Sequence, residues 1–399
     1  MESGEIIQLR NNEEKENWKQ ACTSLWIEVF GDKEQFVEHY MDSTWKWNQV
    51  LLLPCYKPEH LQEKVFCKLE SFSEKTEIIS MLHMNPYVLN VKDEIVNVHY
   101  IVGVCTREEL RGKGYMDILL KKALFILKEQ QEPFAYLMPA DVEIYLPYQF
   151  VPAGFVEKKI YSVFRQGQGL QTAATLVIPF QNLSTEDRHK VIRLAKGRRG
   201  DVYVQLTEEY LLELEAQTHT YDGELITAWQ SGEPLGLAAY LYEEGETPIE
   251  VIQFLAADGC AAGVRDTFHM YMCEHFQVEQ IRIQYDDMYI ISKGNDTDRG
   301  ELYAAYTAQR QCTTMIRCLD PVWFLRRLPP QADWGKRCNV AVKDNILENN
   351  NRVFQIIFEK DGQKNEVIPC QDKPDHYLDV ESLVEYVMRG MTIYTPELI

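Results

Sequence analysis

The stretch richest in chemistry is Arg111-Gly112-Lys113-Gly114-Tyr115-Met116. Before it, Val98 to Cys105 is an apolar run that reads as a strand buried on both faces. After it, Met116, Leu119, Leu120, Ala123, Leu124 and Leu127 recur at helical spacing. The unit is strand, tight turn, helix N-terminus. Amide N–H groups at a helix start have no partner inside the helix, and the helix dipole favours negative charge there. Gly112 and Gly114 let the backbone approach a ligand closely and take positive φ, while Arg111 and Lys113 add charge. A pyrophosphate fits such a nest, and so does the plainer reading of a basic surface turn. The Gly-Lys-Ser/Thr ending of a nucleoside-triphosphate loop is missing. Asp117 stands where a dinucleotide fingerprint needs its third glycine.

The elements that must position this turn come from a chain of 399 residues, long enough for two or three domains. A net charge of −20 argues against a general nucleic-acid binder and suits either a cationic substrate or simple solubility. The ten cysteines form no Cys-x-x-Cys pair and no His/Cys cluster, so no metal site is expected. Scattered free thiols fit a reducing cytoplasm. The acidic start, Met1-Glu2-Ser3-Gly4-Glu5, lacks the basic region of a signal peptide, and no apolar stretch approaches the ~20 residues that cross a bilayer.

In chain order, the pattern predicts helices over Asn11–Trp26 and Phe36–Trp47, broken by Gly31-Asp32. Strands are expected at Val50–Leu53, Lys64–Leu69, Ile78–Met84 and Val98–Thr106, with Pro54 and Pro86 as punctuation, and then at Phe134–Met138. A new section opens near Glu157, with a linking strand at Ile160–Phe164, an acidic helix at Thr207–Gln217 and strands at Ile226–Gln230 and Leu235–Tyr242. Ile249–Leu255, Ala256–Gly263, Val264–His275 and Gln280–Tyr285 then repeat the order strand, turn, helix, strand. Asp258 in this second turn would repel a phosphate, so this copy is expected to be structural. Met315–Asp320 opens the last section, with a helix at Pro321–Leu328, strands at Cys338–Lys343 and Val353–Glu359, and a helix capped by Asp379 and stopped by Gly390.

Arg111-Gly112-Lys113-Gly114-Tyr115-Met116 after a strand resembles the coenzyme A signature of GNAT acetyltransferases, Gln/Arg-x-x-Gly-x-Gly/Ala, with Met116 departing at the last position. Met138–Tyr145 and the overall length resemble the enhanced intracellular survival (Eis) branch. That resemblance implies an α/β (α+β) chain: a catalytic GNAT domain over 1–156, a degenerate GNAT-like domain over 157–290, and a sterol-carrier-like domain over 291–399. It implies acetyl-coenzyme A as co-substrate, bound by Val104, Cys105, Thr106, Arg111, Gly112, Lys113, Gly114, Tyr115 and Met116. A backbone N–H at Val104 or Cys105 would meet the oxyanion; Cys105 as a covalent nucleophile is the rival, and no histidine lies near it in sequence. In the stretch Ile144–Phe150, Tyr145 would protonate the leaving thiolate, with Tyr148 as second candidate and Gln149 where the family has glycine. The carboxylate of Ile399 would take the amine proton. Asp32 would hold a substrate ammonium walled by Trp26 and Phe36; core packing and a cap are the alternatives for these three. The expected protein is a cytoplasmic homo-oligomer, hexameric by resemblance, without nucleic-acid or membrane partners. Its acceptor would be an aminoglycoside-like or lysine amine. The alternative function is a non-catalytic protein that binds or senses acyl-coenzyme A or an apolar ligand.

Overall fold

The computed structural model describes residues 5–10, 12–55, 77–92, 94–164, 176–195, 200–242, 248–277, 280–286, 306–332, 334–359 and 363–395. The first section runs β1 (Ile7–Leu9), α1 (Asn12–Phe30), α2 (Glu34–Ser43), β2 (Gln49–Cys55), β3 (Glu77–Val91), β4 (Glu94–Thr106), α3 (Tyr115–Glu129), β5 (Phe134–Leu137), α4 (Val142–Tyr145) and β6 (Val151–Phe164). Gly31 at φ +72 closes α1, as expected from its position, although the helix runs four residues past Trp26. The expected strand Lys64–Leu69 lies outside the described residues. Strands β1 to β4 form an antiparallel meander, and β3 continues through Pro86 to Val91. Proline is tolerated there because β2 stops at Met84 and β8, defined below, begins at Leu89, so Pro86 sits in an unpaired gap on that side.

The second section contains β7 (Leu176–Pro179), α5 (Thr185–Ala195), β8 (Val202–Val204), α6 (Glu208–His219), β9 (Glu224–Gln230), β10 (Glu233–Leu241), β11 (Ile249–Ala256), α7 (Ala261–His275) and β12 (Gln280–Asp286). Its sheet is covered on one face by α7 through Val264, Phe268 and Met272. The other face carries α6 and α5 through Leu211, Leu214 and Val191. The last section holds β13 (Tyr306–Cys318), α8 (Pro321–Leu325), β14 (Arg337–Lys343), β15 (Val353–Ile357), β16 (Glu366–Cys370), β17 (His376–Asp379), α9 (Val380–Met388) and β18 (Ile393–Tyr394). Asp379 accepts the Ser382 N–H at 2.8 Å and Gly390 sits at φ +74, so α9 is capped and stopped as its sequence predicts.

Among the described residues, one sheet of 14 strands joins the first two sections, in the order β1-β2-β3-β4-β5-β13-β6-β12-β11-β10-β9-β7, with β8 and β18 attached at β3; a second sheet is β16-β15-β14-β17. The joint is an exchange of strands. β6, which follows β5 in the chain, pairs with β12 of the second section. β13, which follows β12, pairs with β5 of the first. The two exchanged strands also pair with each other. Two sequence boundaries fall differently in this sheet: 156/157 lies inside β6, and β13, beyond 290/291, completes the first section's sheet rather than the small one.

Candidate active site

The site is built on a fault in β4. Met81 faces Cys105 across the β3–β4 ladder, yet His83 faces Val102, so Gly103 and Val104 together oppose Leu82. Gly103 lies at φ +60, the conformation a bulge of this kind requires. A Cβ there would come within 2.6 Å of the Trp26 ring, so the glycine is also demanded by packing. A bulge bends the strand, and β4 then leaves its parallel neighbour: β4 and β5 are in register only at Tyr100 and Tyr136. Beyond that pair the strands open as a wedge floored by Ile101–Thr106 and Leu137. Ser80 Oγ donates to the Cys105 carbonyl at 2.7 Å and lies 2.9 Å from Thr106 Oγ1, fixing the far lip of the wedge.

The chain leaves this lip through one turn of 3-10 helix, Glu108–Leu110, pinned by buried Leu110. Arg107 secures the turn through its Nε bond to Ile78 O at 2.8 Å and its ion pair with Glu28 at 3.3 Å. Gly112 (φ +75) and Gly114 (φ +82) then bring the backbone to α3 in the left-handed conformation, with open space where either Cβ would stand. The first bond across this start runs from Ile118 N–H to Gly114 O at 3.2 Å, so the amides of Tyr115, Met116 and Asp117 precede the helical ladder. Arg111 Nε donates to Thr106 O and Lys113 Nζ to Glu109 O, both at 3.3 Å, and all four residues Arg111–Gly114 are exposed. Tyr115 and Met116 pack half-buried against the main core. Met116 therefore points its bulk inward, away from the exposed amides.

Asp117, in the first turn of α3, would oppose an anion by itself, but Lys121 pairs with it at 2.8 Å. Tyr148 belongs to the turn that follows α4. Both phenols of this turn are hard to ionise: burial, then the neighbouring Tyr148, pushes Tyr145 up to about 12, and burial followed by the charge of Asp117 does the same for Tyr148. Gln149 takes φ +63, the backbone conformation that the expected glycine would adopt, so the turn keeps its shape despite the substitution. Burial also raises the Cys105 thiol far above its ordinary range, which removes the thiolate that a covalent mechanism would need.

The residues expected to receive the acceptor are placed differently. Trp26 and Phe36 are each 1% exposed and belong to the core, Trp26 against Tyr40 and His83, Phe36 against Tyr221. Asp32 accepts the Trp26 indole N–H at 2.8 Å. Their apolar bulk fits the space between α1, α2 and the sheet, which is the plainer of the two sequence readings. Behind Trp26, His83 is fully buried, and burial lowers it to about 3, so it is neutral at physiological pH; its Nδ1 lies 3.0 Å from Tyr40 Oη. Sequence spacing gave no sign of this histidine, whereas Gly103 in an otherwise apolar strand is a readable mark of a bulge. Ile399 lies outside the described residues. The chain can be followed to Thr395, which is buried, with its Oγ1 2.8 Å from Thr314 Oγ1 on β13. The next residue of β13, Met315, pairs with Leu137 at the mouth of the wedge.

A large cavity of about 870 Å³ lies elsewhere, lined by His99, Glu132, Glu94, Trp323 and Arg327 among others. It opens at the C-terminal end of α3, roughly 22 Å from the nest by helix rise, and takes no part in this site. Among the described residues, no group of three or more His, Cys, Asp or Glu gathers around a metal position, and no helix is long and apolar enough to cross a membrane.

A bulged fourth strand, a parallel neighbour that splays from it, and a glycine nest at the following helix form a recognisable set. Residues 10–153 match the family described as acetyltransferase (GNAT) domain. This part of the chain is a GNAT domain. The whole chain shares its fold with solved structures. A conserved protein of Enterococcus faecalis V583 superposes with a TM-score of 0.68 at 14% identity, covering 97% of this chain and 90% of its own. A GCN5-related N-acetyltransferase from Anabaena variabilis gives 0.67 at 15%, covering 96% and 90%. Eis1 from Mycobacterium abscessus gives 0.60 at 15%, covering 97% and 89%. No curated protein sequence matches the chain. The GNAT domain makes acyl transfer the chemistry of this site, and the Eis-like fold extends over the second section and the small sheet.

Proposed function

We propose that the chain moves an acetyl group from acetyl-coenzyme A directly to the amine of a cationic acceptor, aminoglycoside-like or lysine-type. The observation that carries this reading is the continuity of wedge and nest: the strand that bulges at Gly103 and Val104 leads within ten residues to the exposed amides that follow Gly112 and Gly114. The diphosphate of the carrier sits on the amides of Gly112–Met116, with Arg111 and Lys113 beside it. The pantetheine arm lies along Val104–Thr106 in the wedge. The amide of Val104 or Cys105 donates to the oxyanion as the amine attacks. Tyr145 serves the leaving group: a phenol at about 12 beside a thiol whose own pKa is about 8.5 stays protonated and donates to the thiolate as charge develops. Tyr148 is the second phenol of the same turn, kept protonated by burial and by the nearby charge of Asp117. The Ile399 carboxylate takes the amine proton; four residues extend from Thr395 by at most roughly 14 Å, and Thr395 is held on β13 at Thr314, one residue before Met315, which pairs with Leu137. The net charge of −20 favours a polycationic acceptor, and the Eis-like fold is the basis for proposing a homohexamer.

The test is acetyl-coenzyme A with a panel of aminoglycosides, polyamines and lysine peptides, read as released thiol. Turnover with at least one amine is expected. Tyr145→Phe should lower it by about 100-fold or more, with acetyl-coenzyme A affinity retained by calorimetry. Wild-type protein that binds the carrier yet releases no thiol with any amine would leave a binding protein, and the transferase reading would fail.

A further inference from the structure

The turn that carries both phenols is held from outside its own domain. Arg317, on β13, is completely buried. Its Nε donates to the Tyr148 carbonyl at 2.9 Å, one Nη reaches the Cys318 carbonyl, and the other donates to Asp344 Oδ1 at 2.6 Å and to Gln149 Oε1 at 3.4 Å. Asp344 closes the first strand of the small sheet. Its carboxylate also accepts the amides of Ile346 and Leu347 at 2.9 and 2.8 Å and the Asn350 side chain at 2.9 Å. Gln149 Oε1 accepts the Asn345 N–H at 2.9 Å, and Gln149 Nε2 donates to Glu381 at the start of α9 at 2.6 Å. Every bond fixes either the Tyr148–Gln149 backbone or the group that fixes it. Burial raises the Tyr148 phenol, and Asp117, one residue past the nest, stands close enough for its charge to raise it further.

We propose that Gln149 and Arg317 are positioning residues, through which the small sheet unit sets the Tyr145 phenol against the thiol of bound coenzyme A. The proposal rests on the transferase reading above, in which Tyr145 faces that thiol. Gln149 is informative because a plain glycine would satisfy the φ of +63 with less strain; its amide side chain is there for the ties to Asn345, Arg317 and Glu381. A buried guanidinium bound to a carbonyl, a carboxylate and an amide oxygen fixes position more tightly than packing alone. Displacement of a reacting group by about 1 Å from a distant change costs on the order of a hundredfold in rate.

The experiment uses the full chain with coenzyme A itself, so that no acceptor is required. The pKa of the bound thiol is read from thiolate absorbance, as the difference between coenzyme A and its desulfo analogue. A phenol that donates to the thiolate lowers that pKa. In Tyr145→Phe the thiol pKa should rise, and in Gln149→Gly it should rise in the same direction, with coenzyme A affinity held and the melting temperature lowered by a few degrees at most, so that both variants are folded at the assay temperature. Where turnover is measurable, Gln149→Gly should lose about tenfold or more in kcat with KM for the carrier unchanged. Arg317→Lys, which keeps the charge and loses the fork, should fall between wild type and Gln149→Gly. A raised thiol pKa in Tyr145→Phe with none in Gln149→Gly overturns the positioning role alone. No change in either variant overturns the role of Tyr145 and the proposal with it, and so does a failure of coenzyme A to bind.

Discussion

Gly114→Ala separates a ligand cradle from an ordinary turn. Gly114 lies at φ +82, and a Cβ built there meets no atom within 4 Å, so the protein itself does not exclude alanine sterically. What alanine meets is the left-handed conformation, which costs an L-residue about 1–2 kcal/mol. Gly232, in the turn between β9 and β10, is a matched control: φ +80, equally open, and far from the nest. Both substitutions should therefore destabilise by the same ~1–2 kcal/mol, read as a fall of a few degrees in melting temperature. Their effects on the carrier should differ. Where the free Gly114→Ala turn relaxes toward negative φ it escapes part of that destabilisation, and binding must restore it, a penalty of up to about 1–2 kcal/mol or as much as roughly 30-fold in Kd. Each amide that no longer reaches a phosphate oxygen removes about 1.5–3 kcal/mol more. Calorimetry with coenzyme A should show Gly114→Ala weakened by about tenfold at least, and Gly232→Ala unchanged. Equal affinities in the two variants would refute the assignment of these amides to the diphosphate.

Three further outcomes follow from the same geometry. Removal of residues 396–399 should leave coenzyme A affinity intact and lower kcat, most at low pH where the amine is protonated; a truncated chain with full kcat would exclude the tail carboxylate as base. Asp344→Ala strips the buried Arg317 of its counter-ion and should cost about 3–5 kcal/mol in urea unfolding, whereas an exposed pair such as Lys19–Asp42 should cost less than about 1. The contact between α2 and α6 is pH-sensitive: the hydrogen bond that His39 donates to Glu213 raises the His39 pKa, and, although burial opposes it, the bonds Glu213 accepts from His39 and Ser43 leave its carboxyl lowered. A raised histidine stabilises fully below about 6.5 and loses that contribution as pH climbs through its folded value; a lowered carboxylate contributes above about 4.5 and is lost on acidification. Melting temperature should therefore be most favoured between those limits, and His39→Gln should flatten its decline on the alkaline side.

The legible parts of this molecule are those whose cause is local. The apolar run before Arg111 and the 3.6-residue stripe after Gly114 specify a strand and a helix from side chains within one turn of each other, and the glycines between them can be read as positive-φ positions. Asp379 and Gly390 bracket α9 for the same reason. Helix α5 and strands β16 and β17 are not legible in the sequence, because polar, short segments carry weak periodicity. Pro86 misled because a proline marks the absence of a hydrogen bond, which can mean the end of a strand or merely a gap beside it. At the site, the nest and the tyrosine turn were legible as types of residue in order. Arg317 was not, since its partners lie 168 and 169 residues upstream and 27 downstream, and nothing in Met315–Asp320 announces a buried cation.

Strand exchange explains why the distant residues matter. Had β6 folded back on β5, the first domain would have closed its own sheet, and Arg317 would not stand beside the tyrosine turn. Instead β13 fills that place, and it brings three consequences within four residues: Thr314 meets the tail at Thr395, Met315 pairs with Leu137 at the wedge, and Arg317 grips the Tyr148 carbonyl. Side chains alternate along a strand, so a slip of one residue would exchange the faces on which these groups stand. The register is irregular between Cys312 and Met315, yet from Met315 to Cys318 it is continuous against β5. The ladder is thus regular where the wedge and the clamp are set, and the departures, between Tyr306 and Gln309 and between Cys312 and Met315, fall before it, the second of them where the tail is received.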